Sequence, residues 1–162
     1  MDQLIHFFSQ FPHWLATILM AMTPVGELRL SIPVSVLGYN MPVWQAFILS
    51  IFGNSIPAVT ILLFAGKFHH WVDKEAGKWG KNWADYLASV QKKFSGDYEK
   101  YGLWGLMIFI GIPIPGTGAW TGAIAAFVFG IPFKHAWPFV TGGIVISAII
   151  TTLLTVGVDK IF

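Results

Sequence analysis

The chain contains no cysteine, so disulfides, thiolate metal sites and thiol nucleophiles are excluded, and cysteine usage leaves the redox compartment open. Charge is almost as scarce. Asp, Glu, Lys and Arg make up 11% of the 162 residues, where soluble globular chains carry about 25%. Arginine occurs once, at Arg29, and every other basic side chain among the ten is a lysine. A net charge of +2 without a basic stripe of interleaved aromatics excludes a nucleic-acid surface. No nucleophile–base pair, Walker loop or dinucleotide glycine pattern occurs, so nothing reads as an enzyme and no cofactor is expected. The opening "MDQLIHFFSQFPHW" has neither a positive region nor a small-residue cleavage site, and no removable signal peptide is expected there.

What the chain has instead is apolar surface. Hydrophobic residues reach 55% of the sequence, which implies an all-α polytopic membrane protein with a single transmembrane domain over 1–162. The stretch that organises it is residues 111–122, "GIPIPGTGAWTG", two prolines and four glycines flanked by uncharged apolar arms. Each arm is about half of what crosses a hydrocarbon core of ~30 Å at 1.5 Å per helical residue. Backbone that leaves the helical ladder at that depth must be buried in protein or line a wet cavity, so the stretch reads as the tip of a re-entrant hairpin.

The same plan occurs earlier. After a short interfacial segment, Pro12 opens a half-length arm to Met22, "TPVGELRLSIP" breaks it at Pro24 and Gly26, and a second arm runs from Leu28 to about Leu37. A crossing helix, kinked near Gly53, Asn54 and Pro57, is then expected from Pro42 to about Gly66. Residues 67–100 hold most of the lysines and acids, with Trp71, Trp79, Trp83, Tyr86 and Phe94 at roughly helical spacing. That suits an amphipathic helix on the membrane surface, or else a solvated linker. From Tyr101 the order recurs: an arm to about Ile112, the tip, an arm to Phe129, the turn "GIPFKH" and a span from about Ala136 to Val158. Gly26 matches Gly118 and Gly38 matches Gly130 at a spacing of 92, while Pro42 matches Pro132 and Gly53 matches Gly143 at 90.

These boundaries define repeat 1 (1–66), a linker (67–100) and repeat 2 (101–162). A hairpin plus one span crosses the membrane an odd number of times, so the second repeat is inverted relative to the first. Full spans over 3–22 and 101–120 would instead make the repeats parallel. Lysines 67, 74, 78, 81, 92, 93, 100 and 134 lie on the side of the linker and only Lys160 lies opposite, which places the linker in the cytoplasm and both termini outside.

Glu27 and Arg29 are the first candidates for chemistry, because each charge at mid-bilayer costs on the order of 2.5–3.5 kcal/mol to insert. Arg29 offers a planar fork for a phosphate or carboxylate, and Glu27 a site for a proton or sodium ion. The plain alternative is a mutual ion pair that pins the hairpin. The second candidate is the tip itself, Pro113, Pro115, Gly116, Thr117 and Gly118, where freed amides at a helix N-terminus form an anion seat. A proline-kinked span with Gly118 and Gly122 as a helix-packing pair is the alternative there. Trp120 is a cavity wall or an ordinary buried aromatic, and Asn54 lines the cavity or bonds a neighbouring helix. His6, His13, His69, His70 and His135 lack metal-ligand spacing and read as interfacial anchors, so no metal is expected.

"TPVGELRLSIP" followed by "IPIPGTGAWTGAIAA" resembles the small multi-drug export proteins, a bacterial and archaeal group related to the DedA (VTT-domain) superfamily. The resemblance covers nearly the whole chain. It implies a multi-pass inner-membrane protein with two re-entrant hairpins and, by way of DedA, translocation of lipid carriers such as undecaprenyl phosphate with proton or sodium coupling. Glu27 matches the important acidic residue of the first DedA hairpin, whereas the arginines of the second have no counterpart here, leaving Arg29 as the one guanidinium. The leading expectation is a flippase that holds an anionic lipid head group between Arg29 and the tip amides. An exporter of small amphipathic cations centred on Glu27 and a non-transporting membrane assembly protein are the alternatives. A thin wall of four hairpin or span units leads us to expect a homo-oligomer.

Overall fold

The computed structural model describes residues 8, 10–75, 102–114, 117–129 and 131–159, with side chains described to Phe64 in the long helix of the first half and to Gly157 in that of the second. All regular structure among these residues is helical. Helix α1 is His13–Met22, α2 is Glu27–Pro33 with a π-helical extension Val34–Gly38, and α3 is Val43–Glu75. In the second half α4 is Gly102–Gly111, α5 is Ala119–Val128 and α6 is Phe133–Asp159.

Local sequence accounts for the ends. Pro12 cannot donate a backbone hydrogen bond and its carbonyl accepts from Leu15 and Ala16, so α1 starts directly after it. Thr23 is extended, with ψ 142, and α1 stops ahead of Pro24. Pro42 and Pro132 likewise open α3 and α6 through carbonyl bonds to Ala46 and Ala136. Among the described residues two stretches are long and apolar enough to cross a bilayer, Val43–Phe64 at 22 residues and Phe133–Gly157 at 25, each at least ~33 Å long. The helix predicted to end at Gly66 instead continues to Glu75, because nothing between Lys67 and Glu75 breaks it: no proline occurs there and Gly66 alone costs only about 1 kcal/mol. The first nine residues of the predicted surface segment therefore belong to α3, and residues 76–100 lie outside the described region.

The two halves correspond element by element, and their packing corresponds too. A Cβ on Gly53 would stand 2.5 Å from the Ile18 carbonyl and 2.9 Å from Ala21 Cβ; one on Gly143 would stand 2.8 Å from the Met107 carbonyl and 2.6 Å from Ile110 Cβ. Each long helix thus crosses the first arm of its own half at a glycine, and the equivalent contacts put α1 and α4 at a spacing of 89. The spacing after the break is 92, so the second break is three residues longer. Each second arm also packs on the long helix of the other half: α5 rests mainly on α3, and α2 packs on α6 as closely as on its own α3. The halves are interlocked, with one shared core in which Leu28 and Ile32 of α2 join Ala119, Ala123 and Ala126 of α5 and Val140 and Ile144 of α6.

Polarity is distributed inside out. Trp44, Ile48, Phe52 and Phe64 of α3 and Leu153 and Leu154 of α6 are exposed, while Thr17, Ser31, Ser35, Ser50 and Asn54 are buried. Such a surface is costly in water and compatible with lipid chains, and buried hydroxyls between helices supply the association energy that lipid-exposed leucines cannot.

Candidate functional site

The two helix breaks face each other, and each closes the other's open backbone groups. Gly118 precedes α5 and has no side chain with which to cap it. The cap comes from 92 residues away: Glu27 Oε2 accepts from the Ala119 amide at 3.2 Å and Oε1 from the Trp120 amide at 3.3 Å. Glu27 is 7% exposed, so two charge-assisted bonds and the positive end of α5 are what keep its carboxylate tolerable in an apolar core. Gly118 is needed for this approach, since a Cβ there would stand 2.5 Å from Oε1 and 2.6 Å from Cδ of Glu27. The backbone of Glu27 is left-handed, φ 51, a strain of order 1–3 kcal/mol that turns its side chain into the interface at the very first residue of α2.

Arg29 performs the complementary task at the end of α4. Its Nη1 donates to the Ile114 carbonyl, and Nη2 donates to the Ile112 carbonyl and to Thr117 Oγ1, both at 3.1 Å. Thr117 Oγ1 lies 2.8 Å from the same two carbonyls, which locks the tip around the guanidinium. A cation thus sits just beyond the C-terminus of α4, where two tip carbonyls that also accept the Ile114 and Thr117 amides converge. The second half reciprocates through Trp120, whose indole Nε1 donates at 3.1 Å to the carbonyl of Met22, the last residue of α1. Asn54 of α3, 1% exposed, directs its side chain at the Glu27 carboxylate, while its Oδ1 has no hydrogen-bond partner. Arg29 Nε is also buried without a partner.

Of the residues singled out from sequence, Glu27, Arg29, Asn54, Thr117, Gly118 and Trp120 converge on one site. Pro24 and Gly26 form the turn that leads into Glu27, and Pro113 lies in the tip between the two carbonyls that hold Arg29. Pro115 and Gly116 lie outside the described residues. Two expectations are revised. Glu27 and Arg29 do not form the mutual ion pair weighed above; each hydrogen-bonds backbone groups of the other half instead. The amide seat at Gly118, expected to take a ligand's anionic group, holds the chain's own Glu27. His13 stacks on Tyr39 with ring centroids 4.4 Å apart. His6 lies outside the described region, as do the side chains of His69 and His70.

Sequence reasoning missed the carbonyls of Met22, Ile112 and Ile114, which leave no side-chain signature. It also missed the buried hydroxyls: Ser31 Oγ donates to Ser50 Oγ at 2.7 Å, and Thr17 Oγ1 and Ser35 Oγ are 2.6 Å apart. Their signal is a polar residue every fourth position along the arm, Glu27, Ser31 and Ser35, with Arg29 the one other polar side chain between them.

Among the curated proteins and among the solved structures, nothing matches this chain. The sequence profile of the family described as "putative small multi-drug export protein" matches residues 27–150, from the capping glutamate through most of α6. Together with the two apolar helices of bilayer length, this makes the chain a membrane protein and a member of the small multi-drug export protein family.

Proposed function

We propose that this protein is a secondary exporter of small amphipathic cations, driven by proton entry, with Glu27 as the shared site for the proton and the cation. The observation that carries the reading is the position of the Glu27 carboxylate, buried between the two breaks, accepting from the Ala119 and Trp120 amides with Asn54 beside it. A proton or an organic cation on that carboxylate weakens its hold on the α5 amides. Charge-assisted bonds of this type are worth about 1.5–3 kcal/mol each, enough to let the two breaks separate and re-form around a site that opens to alternate sides.

The membrane arrangement we propose is an inverted repeat of re-entrant hairpins in a bacterial or archaeal cytoplasmic membrane, with residues 76–100 on the cytoplasmic side. Half-length helices on both sides of each break support it, as does the contact between Glu27 and its counterpart Ala119. Equivalent residues can touch only near a pseudo-two-fold axis, where interrupted-helix transporters bind substrate.

The test is export of a fluorescent lipophilic cation from proteoliposomes under a pH gradient. Glu27→Gln is expected to abolish gradient-driven export while Arg29→Ala chiefly lowers stability; wild-type export by Glu27→Gln would overturn the proposal. A second reading, flipping of an anionic lipid head group in the manner of DedA proteins, draws support from the half-buried Arg29 and its unpartnered Nε. It requires both the guanidinium and the amide seat to be vacated first. A lipid-flip assay decides it, because Arg29→Lys would then be as inactive as Glu27→Gln.

A further inference from the structure

The buried hydroxyls form a track with a direction. Glu27, Ser31 and Ser35 recur every fourth residue along α2 and its π-helical extension, at steps of about 6 Å. Each step has a partner from another helix: Asn54 beside Glu27, Ser50 on Ser31, Thr17 on Ser35. Asn54 and Ser50 are themselves one turn apart on α3. Thr17 donates at 2.7 Å to the carbonyl of His13, whose exposed ring stacks on Tyr39 where α1 begins and α2 ends. The track therefore runs from the break to the far end of the first hairpin.

Packing does not require this polarity. At the equivalent positions of the second half, Thr17 becomes Leu106 at a spacing of 89, Ser31 and Ser35 become Ala123 and Phe127 at 92, and Ser50 and Asn54 become Val140 and Ile144 at 90. Ala123, Val140 and Ile144 are completely buried, so at these counterpart positions the interlocked core is built from apolar groups. The second half also buries hydroxyls, Ser147, Thr151 and Thr155 of α6, but none at the positions equivalent to this track. At the inner end, the unpartnered Oδ1 of Asn54 offers a free acceptor next to Glu27.

We infer that Thr17, Ser35, Ser31, Ser50 and Asn54 form a one-sided proton path that connects Glu27 to the membrane face at His13 and Tyr39. This rests on the proton-coupled reading above and adds the route and its sidedness. A hydroxyl has one donor and two acceptor sites, so it takes a proton on its oxygen while releasing its own to the next group. The steps of about 6 Å between pairs are longer than a direct hydrogen bond, so the path requires a water to bridge each of them. The proton that arrives ends on a Glu27 carboxylate oxygen, and the step adds one positive charge to the site. With residues 76–100 cytoplasmic, the His13 end faces outward, the side from which protons enter to drive export. Among the described residues, the formal charges near the route are Arg29 and Glu27 at its inner end, where they face the other half. The buried Ser147, Thr151 and Thr155 recur every fourth residue on α6, which packs on α2 and its π-helical extension, and in the inverted arrangement they run toward the same face.

The experiment uses the full-length protein in vesicles containing a pH-sensitive dye, with an acid pulse on the His13 face and a lipophilic cation as cargo. The combined variant Thr17→Val, Ser31→Ala, Ser35→Ala, Ser50→Ala is expected to slow proton uptake by about tenfold or more, while cargo exchange at equal pH, which needs no net proton movement, changes by less than about twofold. Acid applied to the opposite face is expected to give the slower response in wild type. Proton uptake within about twofold of wild type in the combined variant overturns the path. A wild-type protein that exports cargo and moves no protons overturns both the path and the coupling on which it rests. If the combined variant does not assemble, Ser31→Ala with Ser50→Ala alone carries the test, since Ala123 and Val140 already fill the counterpart sites; equal loss of uptake and of cargo exchange in that pair would mark a structural role and sink the inference.

Discussion

Substituting Gly118 by alanine isolates the contact between the two breaks. The backbone there is extended, φ 173 and ψ −174, a conformation open to any residue, so alanine has no conformational objection to the site. The obstacle is Glu27, whose carboxylate would have to leave a Cβ placed 2.5 Å from Oε1. The side chain is flexible enough to move, but moving breaks both amide bonds inside a core that offers no water in exchange. Two charge-assisted bonds at about 1.5–3 kcal/mol each set a loss of about 3–6 kcal/mol, reduced by up to about 1 kcal/mol from the smaller chain entropy of alanine. A double-mutant cycle with Glu27→Ala separates this from generic crowding. In the Glu27→Ala background nothing occupies the space, and Gly118→Ala should then be close to neutral, giving a coupling of at least about 2 kcal/mol in reversible unfolding from mixed micelles. Additive costs for the two substitutions would refute the account, because the penalty would then come from somewhere other than the carboxylate.

The two crossing glycines make a paired prediction: Gly53→Ala and Gly143→Ala each press a methyl on a backbone carbonyl and should cost about 1–3 kcal/mol or more, whereas Gly105→Ala, with nothing within 4 Å, should be neutral or stabilising by up to about 1 kcal/mol in the same unfolding assay. Arg29→Lys replaces a fork that serves two carbonyls and a hydroxyl with a single ammonium. It should lower stability by about 1–3 kcal/mol, and protease protection of the tip around Thr117 should fall with it. Trp120→Phe keeps the ring and removes the donor to Met22, so a loss of about 1 kcal/mol is expected, with thermal unfolding in detergent as the check.

Much of the architecture is written locally. Prolines at 12, 42 and 132 start helices and Pro24 ends one, and the uncharged lengths between them separate half-crossings from full ones. Glu27 and Arg29 stand out because charge is rare around them. Their partners are not legible, since each binds backbone atoms of the other half 83–93 residues away, and an amide or carbonyl carries no residue-type signal. The same limit applies to the Gly118 seat: the motif reveals an anion site, not which anion fills it. The end of α3 was misplaced for a different reason. A rise in charge after Gly66 marks a change of environment, from lipid to water, but no break in the helix.

The exchange of capping groups between halves has a consequence for biosynthesis. Glu27 is made 92 residues before the amide that will receive it, a wait of about 5–20 s at ordinary translation rates. During that interval the newly inserted first half holds an orphaned acid and an arm built to rest on a helix not yet made. The nascent chain should therefore be vulnerable to membrane quality control until its final helix emerges. Two separately encoded fragments, split within residues 76–100, should protect one another from degradation when produced together.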